Sequence, residues 1–477
     1  MKKNFIWMLF LVLACVCRAE DITICYKGTT VKVTQKAKDS VNVTVEGAKV
    51  SIESFYTDRK LTLKLTGNSD DGQLNLKTAG KAKVTLDGLT LTSQEGAPVC
   101  LKNKKKVEIA VAKGTENTLT ITACTDTANH KAATIWAKDK LLLSGKGTLN
   151  IIATGDGCRG IKTKKDITIE DLMLNVTTSG NNLGEKPFEM AFGGPLDFDG
   201  EMPDFSDFPP FGNDSLRREG PPDFDGEMPD MGGGFGGKHK YVASTKGIAS
   251  KGKVIINSGN VTVRTNTAGA EGIEGKEGIA FNGGNVDVLA TDDAINANAT
   301  IEFNGANVKA QSIGNDAVDA NPAGGFFPPS FTGGDGGGSP AIIIRGGTVY
   351  AWSQVGSPEE GLDSDFAPIS IEGGTVFTVG GLMGDMPSVP TNETAKQPTV
   401  LLTGLNVVKD EPIYVNDESG KTIFTITIPF SMRGSATLVT NPAFKLGSTY
   451  TLKTKDYEKT FTFSEPFTAF PFQFRRQ

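Results

Sequence analysis

Histidine is almost missing from this chain. Its 477 residues hold two, His130 and His239, and neither sits in a cluster with cysteine or a second histidine. That speaks against zinc sites and against Ser-His-Asp catalysis. Cysteine is scarce as well: six in all, of which Cys25, Cys100, Cys124 and Cys158 lie beyond the N-terminal apolar run. Four scattered thiols do not make a disulfide-dense scaffold. Cys100 and Cys124 stand about one repeat apart and read as a stacked buried pair or a single bridge. Excess positive charge is lacking too, since the net charge is −6, which argues against a nucleic-acid partner. After the first residues no apolar stretch is long enough to span a bilayer. Helical periodicity is also absent, which leaves strands and turns.

The N-terminus carries the one long apolar run. Met1-Lys2-Lys3, the stretch Phe5 to Val16 and a small-residue site ending at Ala19 read as a secretory signal over residues 1–19, with a mature chain from Glu20. The expected location is secreted, periplasmic or at the cell surface. Cys15, after Val12-Leu13-Ala14, offers lipid acylation as an alternative, for which Leu13 is a poor fit.

What the chain has in abundance is glycine, asparagine and aspartate at regular intervals. One unit recurs three times: Glu271-Gly272-Ile273-Glu274, Asp292-Asp293-Ala294-Ile295-Asn296 and Asn315-Asp316-Ala317-Val318-Asp319. The apolar residue returns after 22 residues, from Ile273 to Ile295, and after 23, at Val318. Between these corners run Gly283-Gly284-Asn285-Val286-Asp287-Val288 and Gly305-Ala306-Asn307-Val308-Lys309-Ala310. A fixed period filled by strands too short to bury a core alone predicts an all-β solenoid, a parallel β-helix. Leucine-rich repeats share the period, but their leucine framework is missing.

Period-two alternation extends the pattern towards the N-terminus, through Val41, Val43, Val45, Leu61, Leu63, Leu65, Leu74, Leu76, Val84 and Leu86. The phase continues at Val99-Cys100-Leu101, Ile135-Trp136-Ala137 and Gly160-Ile161-Lys162. A solenoid domain is therefore expected over residues 20–386, interrupted by low-complexity inserts at 181–239 and 321–340. The first contains Asp-Phe-Asp-Gly-Glu-Met-Pro-Asp twice, and such Gly, Pro, Phe and Asp composition cannot pack a core. Beyond the second, the acidic corner returns as Glu359-Glu360-Gly361-Leu362-Asp363.

Equivalent positions of stacked passes lie about 4.8 Å apart. The acidic corners then form a ladder of carboxylates, which repel unless a cation sits between them. Asp, Glu and Asn oxygens suit Ca²⁺. A solvated acidic turn is the alternative, because these residues favour turns without metal.

Strand phase also predicts an outer face. If Val286 and Val288 point inward, then Arg264, Lys309, Tyr350, Trp352 and Phe377 point outward from one sheet. Aromatic rings among cations form a platform for sugars that carry carboxylates, or else ordinary surface decoration of strands. After Met386 the pattern changes. Residues 387–398 read as a polar linker, and 399–477 as a small antiparallel β cap that covers the end of the solenoid.

These residues resemble a known family: secreted bacterial carbohydrate-binding proteins with a calcium-containing, pectate-lyase-like right-handed parallel β-helix. The resemblance rests on Gly160-Ile161-Lys162, Glu271-Gly-Ile-Glu-Gly-Lys276 and Asp292-Asp-Ala-Ile295. The Gly-Gly-x-Val turns and the closing Asn441-Pro442-Ala443-Phe444 with Tyr450 support it. It implies binding of cellulose-like or acidic polysaccharides such as polygalacturonate. It also implies calcium held by Glu271, Asp292, Asp293, Asp316, Asp319, Glu360 and Asp363. The sequence departs from the family's Asp-Asp-Gly-Ile corner at Ala270-Glu271 and Asn315-Asp316. The primary expectation is a non-catalytic polysaccharide-binding protein. A calcium-dependent lyase using Lys162 or Lys276 as base is the first alternative, although a lysine beside carboxylates normally keeps its charge. An adhesin or structural spacer is the second.

Overall fold

The computed structural model describes residues 20–36, 39–125, 131–185, 241–322, 339–365, 367–383 and 388–470. The expected leader at 1–19, both histidines and most of the two inserts lie outside these residues. Among the described residues no helix is long and apolar enough to cross a membrane.

Short runs of alternating apolar residues make the strands, and the buried faces of the stacked passes meet in one large core. Glu116–Ile121, Thr148–Ala153, Leu172–Thr178, Gly259–Thr265 and Asn285–Ala290 follow one another in parallel register. A second file stacks Val107–Val111, Leu141–Gly145, Ile167–Glu170, Val254–Ile256 and Ile279–Phe281. Longer strands such as Ile301–Ser312 and Ile342–Ser353 pass through both files. The two files belong to a 22-stranded sheet, and an 11-stranded sheet forms the remaining wall. Every side chain of the inner ladder Ile248, Ile273, Ile295 and Val318 is 0% exposed.

Inside, aromatic rings stack from pass to pass. The centroids of Phe281 and Phe303 are 5.1 Å apart at 15°. The corner between the files demands glycine: Gly284 has φ 81°, and a Cβ there would lie 2.4 Å from the Gly259 carbonyl.

The open right-handed β-helix solenoid with a separate cap is corrected by this architecture. The strands close around the core as a parallel barrel with extra strands added. The extra strands join at both ends. At the start, Thr30–Gln35 pairs antiparallel with Ile22–Lys27. At the other end, Thr399–Val407, Met432–Thr440 and Phe467–Phe470 join the large sheet itself, with Val376 opposite Thr440. The stretch read as a linker contributes the strand Pro390–Ala395 to that sheet. Four strands, Pro412–Asp417, Thr422–Thr427, Thr449–Lys453 and Glu458–Thr462, form a separate antiparallel sheet.

Candidate functional site: an acidic core and an outer groove

The outward side chains of the 11-stranded sheet build the first site. Glu274, Asn296, Asp319 and Asp363 are successive register partners. From the adjoining corner come Asp293 and Asp316. Asp293, Asp316 and Asp319 each place a carboxylate oxygen within 4.8 Å of the others, and all three are buried. Asn296 Nδ2 donates to Asp293 at 2.8 Å and to Asp319 at 3.0 Å, so it ties two of them together. Asn321 Nδ2 adds a bond of 2.8 Å to Asp319.

Glu360 and Asp363 flank this trio. The Glu360 carboxylate accepts from the amides of Ser388 and Met383 at 3.0 and 3.2 Å, and Asp363 accepts from Ser388 Oγ at 2.9 Å. Burial, and then the charges of Asp363, Asp293 and Asp319, hold the Asp316 carboxyl well above the usual range. Burial followed by Asp363 pushes Glu360 up to about 8. Buried carboxylates whose mutual charge opposes ionisation form a hard-oxygen donor set that suits a dication such as Ca²⁺.

Two expected ligands stand elsewhere. Glu271 is 2.9 Å from Lys246, its register partner, and that lysine also meets Glu274 at 2.7 Å. A side-chain cation neutralises this corner instead. Asp292 Oδ1 accepts from Asn315 Nδ2 at 2.9 Å and is not one of the clustered trio. Lys246, Asn296 and Ser388 were not foreseen. Asn296 follows the acidic corner in sequence, but the other two carry no local signal.

The two candidate bases part company. Lys276 Nζ pairs with Glu274 at 2.7 Å. Lys162 is 6% exposed, and burial, then Arg159 and Lys251, bring it down to about 7. Replacing Lys162 with Met is expected to raise the melting temperature most at pH 6. The folded lysine binds fewer protons than the unfolded one between about 7 and 10.5, so the gain shrinks as pH rises through that window. Melting curves of the variant against pH check this.

The predicted outer face sorts into two files of the large sheet. Thr262, Asp287, Lys309, Tyr350 and Phe377 form one, while Arg264, Leu289, Gln311 and Trp352 form the next. Trp352 is 3% exposed and Phe377 0%, so neither is open to a ligand. The C-terminal strands cover them: both belong to the cluster containing Val400, Val439 and Phe444, and Phe377 meets Phe424 edge-on at 6.4 Å. Tyr350 stays half-buried at the boundary, with its ring parallel to Trp352 at 5.8 Å. Lys309 Nζ sits 5.1 Å above the Trp352 ring, and Arg264 pairs with Asp287 at 3.0 Å. Beside these residues runs a groove of about 470 Å³, lined by Asn260, Asn285, Asn307, Asp287, Lys309 and Tyr350.

An all-β wall with an acidic core and a polar groove is the setting in which the comparisons fall. The chain belongs to the family of carbohydrate-binding domain-containing proteins, which matches residues 46–320. It is 30% identical over 145 residues to a carbohydrate-binding domain-containing protein of Acetivibrio thermocellus. That match takes in 29% of this chain and 47% of the relative, so the chain spans about half the relative's length. Among solved structures, a gadolinium derivative of a polysaccharide lyase-like protein from C. thermocellum aligns with a TM-score of 0.41 and 19% identity. The alignment covers 62% of this chain and 92% of that one.

Proposed function

We propose that this chain is a non-catalytic polysaccharide-binding protein of the cell exterior, with calcium stiffening its acidic core. The observation that carries the reading is the family match. The 46–320 span contains the groove residues from Asn260 to Lys309 and the trio Asp293, Asp316 and Asp319. A cellulose-like or acidic glycan such as polygalacturonate is the partner. In that arrangement the carboxylates hold the ion by hard-oxygen coordination and the outer surface meets the sugar. Electrophoresis through gels containing polygalacturonate or hydroxyethyl cellulose tests this: retardation by either polymer is expected, and free migration through both contradicts it.

One observation favours the lyase as a second reading. An amine that sits near pH 7, as Lys162 does, is available to remove a proton. If that reading holds, Lys162→Met abolishes the formation of unsaturated products from polygalacturonate. If the wild type forms none, the binding reading stands.

A further inference from the structure

The groove on the large sheet has a composition the predicted aromatic platform did not anticipate. One rail of it is amide and hydroxyl. Asn260, Asn285, Asn307 and Thr348 occupy one register position in four successive passes. Asn285 Nδ2 donates to Asn260 Oδ1 at 2.8 Å, and Asn307 Nδ2 to Asn285 Oδ1 at 3.0 Å. These bonds fix which way each amide faces. A carboxamide has two N–H donors and two acceptor sites, so the ladder leaves donors and acceptors over for an outside partner.

The second rail, two residues further along each strand, is Thr262, Asp287, Lys309 and Tyr350. Its charges do not repeat. Asp287 is held by Arg264 at 3.0 Å, Lys309 lies over the Trp352 ring, and Tyr350 offers a half-buried aromatic ring where the C-terminal strands begin. Four passes at roughly 4.8 Å per step extend about 14 Å. That is the length of a short run of sugar rings laid across the strands.

We propose that this groove binds a linear glycan of uncharged sugars running across the strands, its hydroxyls on the Asn260, Asn285 and Asn307 amides and one ring against Tyr350. The proposal rests on the carbohydrate-binding reading and adds the place, the direction and the class of sugar. Repeating hydroxyls match a repeating amide rail, and the face of an aromatic ring accepts the C–H face of a pyranose. A polyuronate presents a carboxylate on every unit. One of these would meet Asp287, and only Lys309 in the rail would answer the others.

Titration calorimetry with cellobiose, cellotetraose, cellohexaose and tetragalacturonate tests this on the wild type, Asn285→Ala and Tyr350→Ala. Asn285 is exposed, so its replacement is the variant least able to disturb the fold, and melting curves check both. Each replacement is expected to weaken cellohexaose about tenfold, and tetragalacturonate to bind the wild type at least about tenfold more weakly than cellotetraose. Affinity should rise from cellobiose to cellotetraose and then level off. A folded Asn285→Ala with unchanged cellohexaose affinity overturns the groove, as does tetragalacturonate binding as tightly as cellotetraose. If the wild type still binds glycan while both variants match it, only the groove falls. If the wild type binds no glycan, the carbohydrate reading falls with it.

Discussion

Chelation is expected to lower the melting temperature of this protein by several degrees, and added calcium to restore it. Asp293, Asp316 and Asp319 share a buried space, and there burial and then the charges of Asp363, Asp293 and Asp319 oppose the ionisation of Asp316. An ion that binds only the folded chain adds about 2.7 kcal/mol when its free concentration is ~100 times Kd. Spread over a chain of this length, that is a shift of a few degrees per ion. Asp316→Asn distinguishes coordination from general salt effects. It should raise the melting temperature in chelator, by removing a repelled charge, and lower it in calcium, by removing a ligand.

The pH dependence follows with a definite sign. Glu360 is raised from the ordinary 4.5 to about 8, so between those values the folded chain holds more protons than the unfolded one. The contribution of Glu360 to the stability of chelated protein is therefore fullest below about pH 4.5 and is lost as pH rises towards 8. Calcium, which needs ionised carboxylates, is expected to flatten or reverse that slope. Melting curves from pH 5 to 8 with EGTA or calcium check both statements.

Gly272→Val produces the other large effect, a destabilisation of about 3 kcal/mol or more. A Cβ at Gly272 would stand 2.4 Å from Val288 Cγ1 and 2.4 Å from the Ala294 carbonyl oxygen of the next pass. Neither can retreat. Val288 is fully buried, and the Ala294 carbonyl accepts from the Ile273 amide at 3.0 Å. Gly160 and Gly247 stand in the same relation to Val176 and Val263, at 2.4 Å in each case. The glycine before the isoleucine of this corner thus has one cause in three passes, close approach rather than backbone torsion. Gly356, where a Cβ meets nothing within 4 Å, supplies the control: Gly356→Ala should melt with the wild type. Denaturant titration of the two variants measures the difference.

Much of this was legible because strand periodicity and pass length are local properties. The spacing from Ile273 to Ile295 to Val318 foretells their pairing, and the acidic corners foretell that Asp293, Asp316 and Asp319 meet. Three features were not legible in the same way. Alternation places Trp352 and Phe377 outward, but it does not reveal that Val400 and Val439 will lie over them. The Lys246 that takes Glu271 out of the acidic set lies across the first insert from Lys162, where no spacing rule applies. Closure of the wall depends on which strands pair across the chain, so a local pattern suggests an open stack as readily as a closed one. The asparagine rail did carry a signal. Asn260, Asn285 and Asn307 recur at 25 and 22 residues, just ahead of the valines that drew attention to the core.

The most direct test is to incubate the protein with polygalacturonate and with cellulose, in calcium and in EGTA, while following retention on the polymer and the absorbance of unsaturated products. Retention on at least one polymer without new absorbance is the predicted result. Products that accumulate with time and vanish in Lys162→Met, or no retention on either polymer, would contradict it.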